Sequence, residues 1–266
     1  MHTTLLLVFL GSSFLPASAQ QIAAEKAEKT SPAFEVAAIK ANKGDSGGHD
    51  VDMSADRLLV SNYTLKQLIR LAYDLKSDAQ ISGGPEWMDK QAFDISAKID
   101  DAEMGKMQQM KRDERRRENS LLLQSLLAER FQLRTHEVQQ VMPVYALVVV
   151  KSGPKLTASK SPGQGYHVST HNSHMVASAT SMDVFADQLT RMPESGERVV
   201  RNRTGLAGDY DFKLDWSPDF GSGAPADATD PGLFTALQEQ LGLKLEPQKG
   251  AVNVVIVDSA AKPTLD

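Results

Sequence analysis

Two stretches of the chain share one pattern of apolar and polar positions. In SLLLQSLLAERFQLRTHEVQQVMPVYALVVVK, from Ser120 to Lys151, Leu123, Leu126, Leu127 and Phe131 recur at i, i+3, i+4 and i+8. That spacing places them on one face of a helix. In GLFTALQEQLGLKLEPQKGAVNVVIVD, from Gly232 to Asp258, Leu233, Ala236, Leu237 and Leu241 hold the same relative places. Phe131 and Leu133 then alternate with Gln132 and Arg134, and Leu241, Leu243 and Leu245 with Gly242 and Lys244, a period of two that predicts a half-buried strand. Each stretch closes on an apolar run, Val144 to Val150 or Val252 to Val257. These runs are rich in β-branched residues and too short to cross a membrane, which predicts an interior strand. The expectation for each stretch is helix, strand, turn, strand.

The same comparison extends further. Phe34 to Lys40 and Arg57 to Ser61 read as strands, separated by the flexible loop Gly44 to Asp50. Thr64 with Gln67 forms a capping box, and Leu65, Leu68, Ile69, Ala72 and Tyr73 mark one apolar helical face. In the later part Thr180 with Asp183 resembles a capping box, and Met182, Phe185, Ala186 and Leu189 repeat the helical spacing. Strands are also expected over Gln80 to Gly83, Phe93 to Lys98, Tyr166 to Ser169, Met175 to Ser178, Val199-Val200 and Tyr210 to Leu214, and an aromatic-Asp-apolar order recurs in Phe93-Asp94-Ile95 and Tyr210-Asp211-Phe212. The main departure is Ala102 to Glu118, where Met104, Met107 and Met110 at helical spacing lead into KRDERRRE. We expect an added amphipathic helix running into the Ser120 helix, its Met stripe packed in a core rather than offered to a partner, and its mixed charges on a solvated face. Ser152 to Gly165, rich in Gly, Pro, Ser and Lys, is the natural boundary. The expected organisation is a signal peptide over 1–19, a flexible leader over 20–33, a first α+β repeat over 34–151, a linker over 152–165 and a second α+β repeat over 166–266. The expected fold class is α+β, as two tandem pseudo-repeats, each a mixed or antiparallel sheet with two helices packed on it. Asp219 to Pro231 reads as a long loop.

Composition narrows the setting. With 266 residues, 41% hydrophobic, the chain can bury a proper core. A net charge of −5 leaves no electrostatic footprint for nucleic acid. Leu5 to Leu10 form an apolar run followed by Ala17-Ser18-Ala19, which predicts export with cleavage after Ala19 and no membrane span in the mature chain. Cysteine is absent, which removes a disulfide framework, a thiol nucleophile and a cysteine lipid anchor. The expected location is the periplasm or the exterior of a bacterium.

A family resemblance is carried by FEVAAIK, by LKQLIRLAYDL…QISGGPEWMDKQAFDISAK, by LLLQSLLAERFQLRTHEVQQVMPVYALVVVKSGPKL and by RVVRNRTGLAGDYDFKLDWSPD…GLFTALQEQLGLKLEPQKGAVNVVIVDSAAKP. Together, over about Phe34 to Pro263, these segments resemble the soil-associated family of exported bacterial proteins of unknown function. The resemblance implies an extracytoplasmic location and transfers no established active site. Relatives in that family occur fused behind membrane-embedded zinc peptidases of the β-lactam-sensor type, which implies a link to sensing. The helix–strand–strand closing unit also looks like the short N-terminal domains of secretins and TonB-dependent receptors, an analogy of fold that does not fix function.

The candidate chemistry is sparse. His167, His171 and His174 in HVSTHNSH are the best metal candidates, but Val168, Ser169, Thr170 and Asn172 favour strand and turn, on which His167 and His171 would point one way and His174 the other. Exposed histidines are the preferred reading, and neither a metal site nor a cofactor is predicted. Ser152-Gly153-Pro154-Lys155 matches S-x-x-K, yet Pro154 and the preceding strand make it a loop and the companion motifs are missing. Asp209, Asp211 and Asp215 could form paired carboxylates for glycoside cleavage, but alternation explains them as outward strand positions. The loop from Gly44 to Asp50 lacks the order of an EF-hand, and no phosphate-cradling Gly motif occurs. Trp87 and Trp216 fit core packing better than a sugar or peptide groove. No catalytic residue is assigned. The sequence favours a non-catalytic extracytoplasmic module that binds a protein, peptide or envelope ligand, by strand addition or by capture between the repeats. The alternatives are a secreted hydrolase with a site between the repeats and a sensor domain acting with a membrane peptidase.

Overall fold

A computed structural model of the chain describes residues 32–42, 44, 48–54, 56–163, 165–217 and 231–265. The signal segment, residues 20–31 of the leader and residues 219–230 of the long loop lie outside the described residues.

The architecture is α+β. Its elements are β1 (Val36–Ala41), β2 (Asp50–Met53), β3 (Arg57–Thr64), α1 (Leu65–Ala72), β4 (Ile81–Gly83), β5 (Ala92–Lys98), α2 (Asp101–Gln109), α3 (Arg112–Arg130) and β6 (Arg134–Val149). There follow β7 (Thr157–Ala158), β8 (His167–His171), β9 (His174–Ser181), α4 (Met182–Thr190), β10 (Val200–Asn202) and β11 (Asp209–Asp215). The chain closes with α5 (Leu233–Ala236), which runs on as a π-helical turn Leu237–Leu241, and β12 (Leu243–Ser259).

Among the described residues the strands form three four-stranded sheets, ordered β1-β5-β3-β2, β10-β6-β12-β4 and β7-β11-β9-β8. The first and third are antiparallel throughout and run in corresponding order. The middle sheet is built by exchange. β6 and β12 pair antiparallel along their whole length, from Leu243↔Val149 to Ser259↔Arg134. β4 joins β12 in parallel, and β10 joins β6 in parallel. Each short outer strand therefore pairs with the long strand from the other half of the chain.

This pairing replaces the expected strand–turn–strand. Neither Gln139-Gln140 nor Gln248-Lys249-Gly250 turns: β6 is one strand of 16 residues and β12 one of 17. The polar centres looked like turns because the ribbon is only two strands wide there, with both faces wetted. Val141 is 73% exposed at this waist. Pro143 and Pro247 sit in the same region, where a missing N–H costs least because one side of each strand has no ladder to complete.

The two ends of the ribbon enter different cores. Val255 and Val257 of β12 pack with Leu68, Phe93, Leu127 and Phe131 in the first. Leu147 of β6 packs with Phe185, Phe212, Leu237 and Leu243 in the second. Burying an aliphatic side chain contributes about 1.5–3 kcal/mol, so each core depends on residues delivered from the far half. Residues 152–165 also take part, since they supply β7 and place Leu156 against the second core.

Local chemistry sets the element ends. Thr64 caps α1, accepting from Gln67 N while Gln67 Oε1 accepts from Thr64 N at 2.9 Å. At α4 the cap is Ser181, not Thr180: Ser181 Oγ accepts from Val184 N, whereas Thr180 is buried and donates to Ser178 O. The Met-bearing segment and the Ser120 helix are two helices, broken where Met110 and Lys111 turn extended. Met107 is fully buried against Ile99 and Leu122, and Met104 and Met110 are half-buried, so packing occupies the middle of the stripe.

The two helices that lead into the ribbon, α3 and α5 with its π-helical turn, are each followed by a left-handed residue, Gln132 (φ 49°) and Gly242 (φ 65°), which swings the chain directly into it. A matched pair of bulges interrupts β3 and β9. Asn62 (φ 61°) donates its amide to Asp94 Oδ1 at 2.9 Å, and Ala179 (φ 47°) donates its amide to Asp211 Oδ1 at 2.8 Å. The recurring aromatic-Asp-apolar order thus has a physical job: the Asp holds a left-handed bulge in the neighbouring strand.

Gly242 is constrained twice, by its φ and by the Gly153 carbonyl, into which a Cβ would collide. Gly242→Ala is expected to lower stability by at least about 1–2 kcal/mol, measured by urea unfolding. Gln132→Gly, at the matching helix end, is expected to leave stability unchanged or raise it.

Candidate ligand-binding cleft

The arrangement begins at the end of α1. Arg70 lies in its last turn, where the negative end of the helix dipole favours a cation. Asp74 then adopts a left-handed conformation (φ 50°), which turns the chain out of the helix and sets its carboxylate between two cations. Arg116 of α3 binds one side of it, and Lys76 Nζ lies 3.2 Å away on the other. Lys76 also reaches Asp187 of α4, at 2.9 Å. The chain Arg116–Asp74–Lys76–Asp187 therefore links a helix before the long ribbon to a helix after it. Ser77 Oγ donates to Glu197 O at 2.6 Å and Gln80 Nε2 to Asn253 O at 3.0 Å, which docks the same segment on the later half through buried or partly buried groups.

Above this junction lies an open cleft of about 700 Å³. Tyr63, Arg70, Arg115 and Arg116 line it from one half, and Tyr166 and Arg191 from the other. Met53, Leu71 and Leu75 supply apolar wall. Among the described residues, Asp74 is the one acidic lining residue. Arg70 is engaged by Asp78, whose Oδ1 lies 3.1 Å from Nη1 without hydrogen-bond alignment, and Arg116 is engaged by Asp74. Among the described residues, Arg115 and Arg191 have no ion pair. Burial raises the Tyr63 phenol above its ordinary value, against the opposing pull of Arg70, so it is a neutral donor near pH 7. The volume lies in the usual range for small-ligand sites.

The residues singled out from sequence lie elsewhere. His171 and His174 are direct cross-strand partners at a two-residue turn, Asn172-Ser173, in which both residues have positive φ. Direct partners share a face, so His174 lies on the same side as His171 and His167 rather than opposite them. His174 Nδ1 is hydrogen-bonded to Asp215. All three histidines are exposed, and among the described residues no group of three His, Asp or Glu is arranged to hold a metal ion. Lys155 Nζ donates to Glu239 O at 2.6 Å, which ties the S-x-x-K turn to the end of the last helix and away from Ser152 chemistry. The three aspartates each have a structural partner: Asp209 Oδ2 accepts from Gly163 N at 2.9 Å, Asp211 holds the Ala179 bulge and Asp215 meets His174. Trp216 is buried with Nε1 donating to Glu194 Oε1 at 2.8 Å, and Trp87 packs edge-on against Phe93. Among the described residues no Ser or Thr hydroxyl is hydrogen-bonded to a histidine.

The cleft residues carry no motif in the sequence. Arg115 and Arg116 belong to the run KRDERRRE, which mixed signs made look like a solvated face. One signal was available: several arginines crowd the start of α3, the end at which the helix dipole gives cations no benefit.

A model of the family described as protein of unknown function (DUF3738) matches residues 66–260. The chain belongs to this family. The resemblance to a domain of unknown function over most of the chain is thereby borne out. The match spans both halves of the ribbon and the junction below the cleft. No curated protein matches the chain, and no solved structure does. Among the described residues no helix is long and apolar enough to cross a membrane.

The Ala179 amide, and after it the Ser159 hydroxyl, hold the Asp211 carboxyl below its ordinary value. A carboxylate depressed on folding stabilises the protein above its unfolded pKa, and that contribution is lost as pH falls through the folded value. The melting temperature of wild type should therefore exceed that of Asp211→Asn near neutrality, and the gap should close as pH falls below about 4. Scanning calorimetry across pH checks this.

Proposed function

We propose that this member of the family is an exported, non-catalytic binding module whose ligand sits in the cleft where the two halves meet. The observation that carries the reading is the cleft's lining: side chains from both halves converge on one hollow, and arginines and tyrosines stand there beside a small apolar wall, suited to holding a ligand. The pairing of His and Asp elsewhere serves strands and turns. The export part of the reading rests on the Leu5–Leu10 run and the Ala17-Ser18-Ala19 site. We further propose that the halves descend from one unit. The corresponding sheet orders and the paired left-handed positions at Gln132 and Gly242, and at Asn62 and Ala179, support it.

The test is a thermal-shift screen of the exported chain against metals, sugars, peptides and cell-wall fragments, with N-terminal sequencing of the secreted product expected to begin at Gln20. A ligand at one hundred times its Kd adds about 2.7 kcal/mol, or a rise of about 5–10 °C for a chain of this size. The expected result is such a shift with at least one ligand class, reduced in Tyr63→Ala. A screen with no shift, or a shift that Tyr63→Ala and Arg191→Ala both leave intact, contradicts the reading.

A further inference from the structure

The lining of the cleft also constrains what it would hold. The chain as a whole is acidic, at −5, yet among the described residues the cleft gathers four arginines against one aspartate. Two of the arginines are satisfied: Arg70 by Asp78 and Arg116 by Asp74. Arg115, half-buried on α3, and Arg191, exposed just after α4, face the same hollow from opposite halves without an acidic partner among the described residues. A protein of negative net charge that concentrates unpaired guanidinium groups in a concavity focuses positive potential there. Guanidinium presents a planar fork of donors that matches a carboxylate or phosphate, and it takes either in a bidentate manner. The neutral Tyr63 phenol adds a donor of the same polarity. Met53, Leu71 and Leu75 offer a small apolar wall beside these donors.

We infer that the cleft binds a small organic oxyanion, a phosphate- or carboxylate-bearing molecule, with its anionic group between Arg115 and Arg191 and its body against the Met53–Leu71–Leu75 wall. This inference rests on the cleft being the binding site of the module. The two halves are already joined by the β6–β12 pairing and by the Ser77 and Gln80 hydrogen bonds, so Arg115 and Arg191 are not needed to hold the fold together. They are available to the ligand.

Isothermal titration of the whole exported chain tests it, with pyrophosphate and citrate as the two oxyanion probes and N-acetylglucosamine as the neutral one. At least one oxyanion should bind, and the arm that binds tells phosphate from carboxylate. Affinity should fall as salt is raised, because exposed charges are screened. Arg115→Gln and Arg191→Gln should each weaken binding by about tenfold, and the double variant by about a hundredfold. Lys213→Gln, on the outer face of the third sheet, should leave it unchanged. The melting temperatures of the unliganded variants should match wild type, which separates lost binding from lost fold. Failure of both oxyanions to bind, or binding that the double variant leaves intact, overturns the inference. If in that event N-acetylglucosamine or a cell-wall fragment still binds in a Tyr63-dependent way, the binding module stands and only its anionic ligand is refuted.

Discussion

The pairing of β6 with β12 is the constraint on which the rest depends. These strands lie roughly a hundred residues apart in sequence, and neither has another partner along most of its length. Once they register, each end of the ribbon is committed to a different core. Val255 and Val257, beside β4, must be buried in the first core, and Leu147, beside β10, in the second. A slip of one residue would turn each of these side chains to the solvent face. The register is therefore enforced from both ends at once. The exchange of β4 and β10 across the ribbon adds to this: the middle sheet is completed at each edge by a short strand paired with the long strand of the other half.

Several local devices serve that pairing. The left-handed residues Gln132 and Gly242 deliver both helices into the ribbon without an intervening loop. The bulges at Asn62 and Ala179 leave an amide out of the ladder, and Asp94 and Asp211 accept it. Ala179 adopts a conformation that L residues other than Asn and Asp seldom use, and the carboxylate of Asp211 is what compensates it. The junction formed by Asp74, Lys76 and Ser77 acts where the halves would otherwise splay apart at the waist of the ribbon. Its exposed ion pairs are individually weak. The Ser77 and Gln80 hydrogen bonds to backbone carbonyls of the far half give it direction. The cleft is the hollow left above this seam.

Much of this was legible in the residues, and the limits are instructive. Apolar spacing located the helices at Leu65, Leu123 and Met182, and Thr64 with Gln67 marked a start that the structure keeps. The class, α+β, followed from mixing helices with hairpins. What was illegible was pairing at a distance. Residues 135–143 and 246–250 are polar in the manner of turns, and only knowledge that they face each other makes them a strand. The same blindness hid the histidine face, since a two-residue turn at Asn172-Ser173 realigns His174 with His171. It also hid the cleft. Arg115 and Arg191 have no relation in sequence, and a charged helix face reads the same whether it meets water or a neighbour's arginine. Thr180 was mistaken for a cap because Ser181, one residue on, was the hydroxyl free to turn toward Val184.

If the ribbon binds both cores into one cooperative unit, the cores cannot melt separately. Each contains a single tryptophan: Trp87 packs on the first and Trp216 lies buried in the second. The direct measurement is urea unfolding of Trp87→Phe and Trp216→Phe, each followed by the fluorescence of its remaining indole and by circular dichroism. The account predicts that, within each variant, the fluorescence and dichroism transitions coincide in midpoint and slope. Fluorescence of one core that changes well before the bulk secondary structure is lost would show two independent domains joined by a passive strap, and would contradict it.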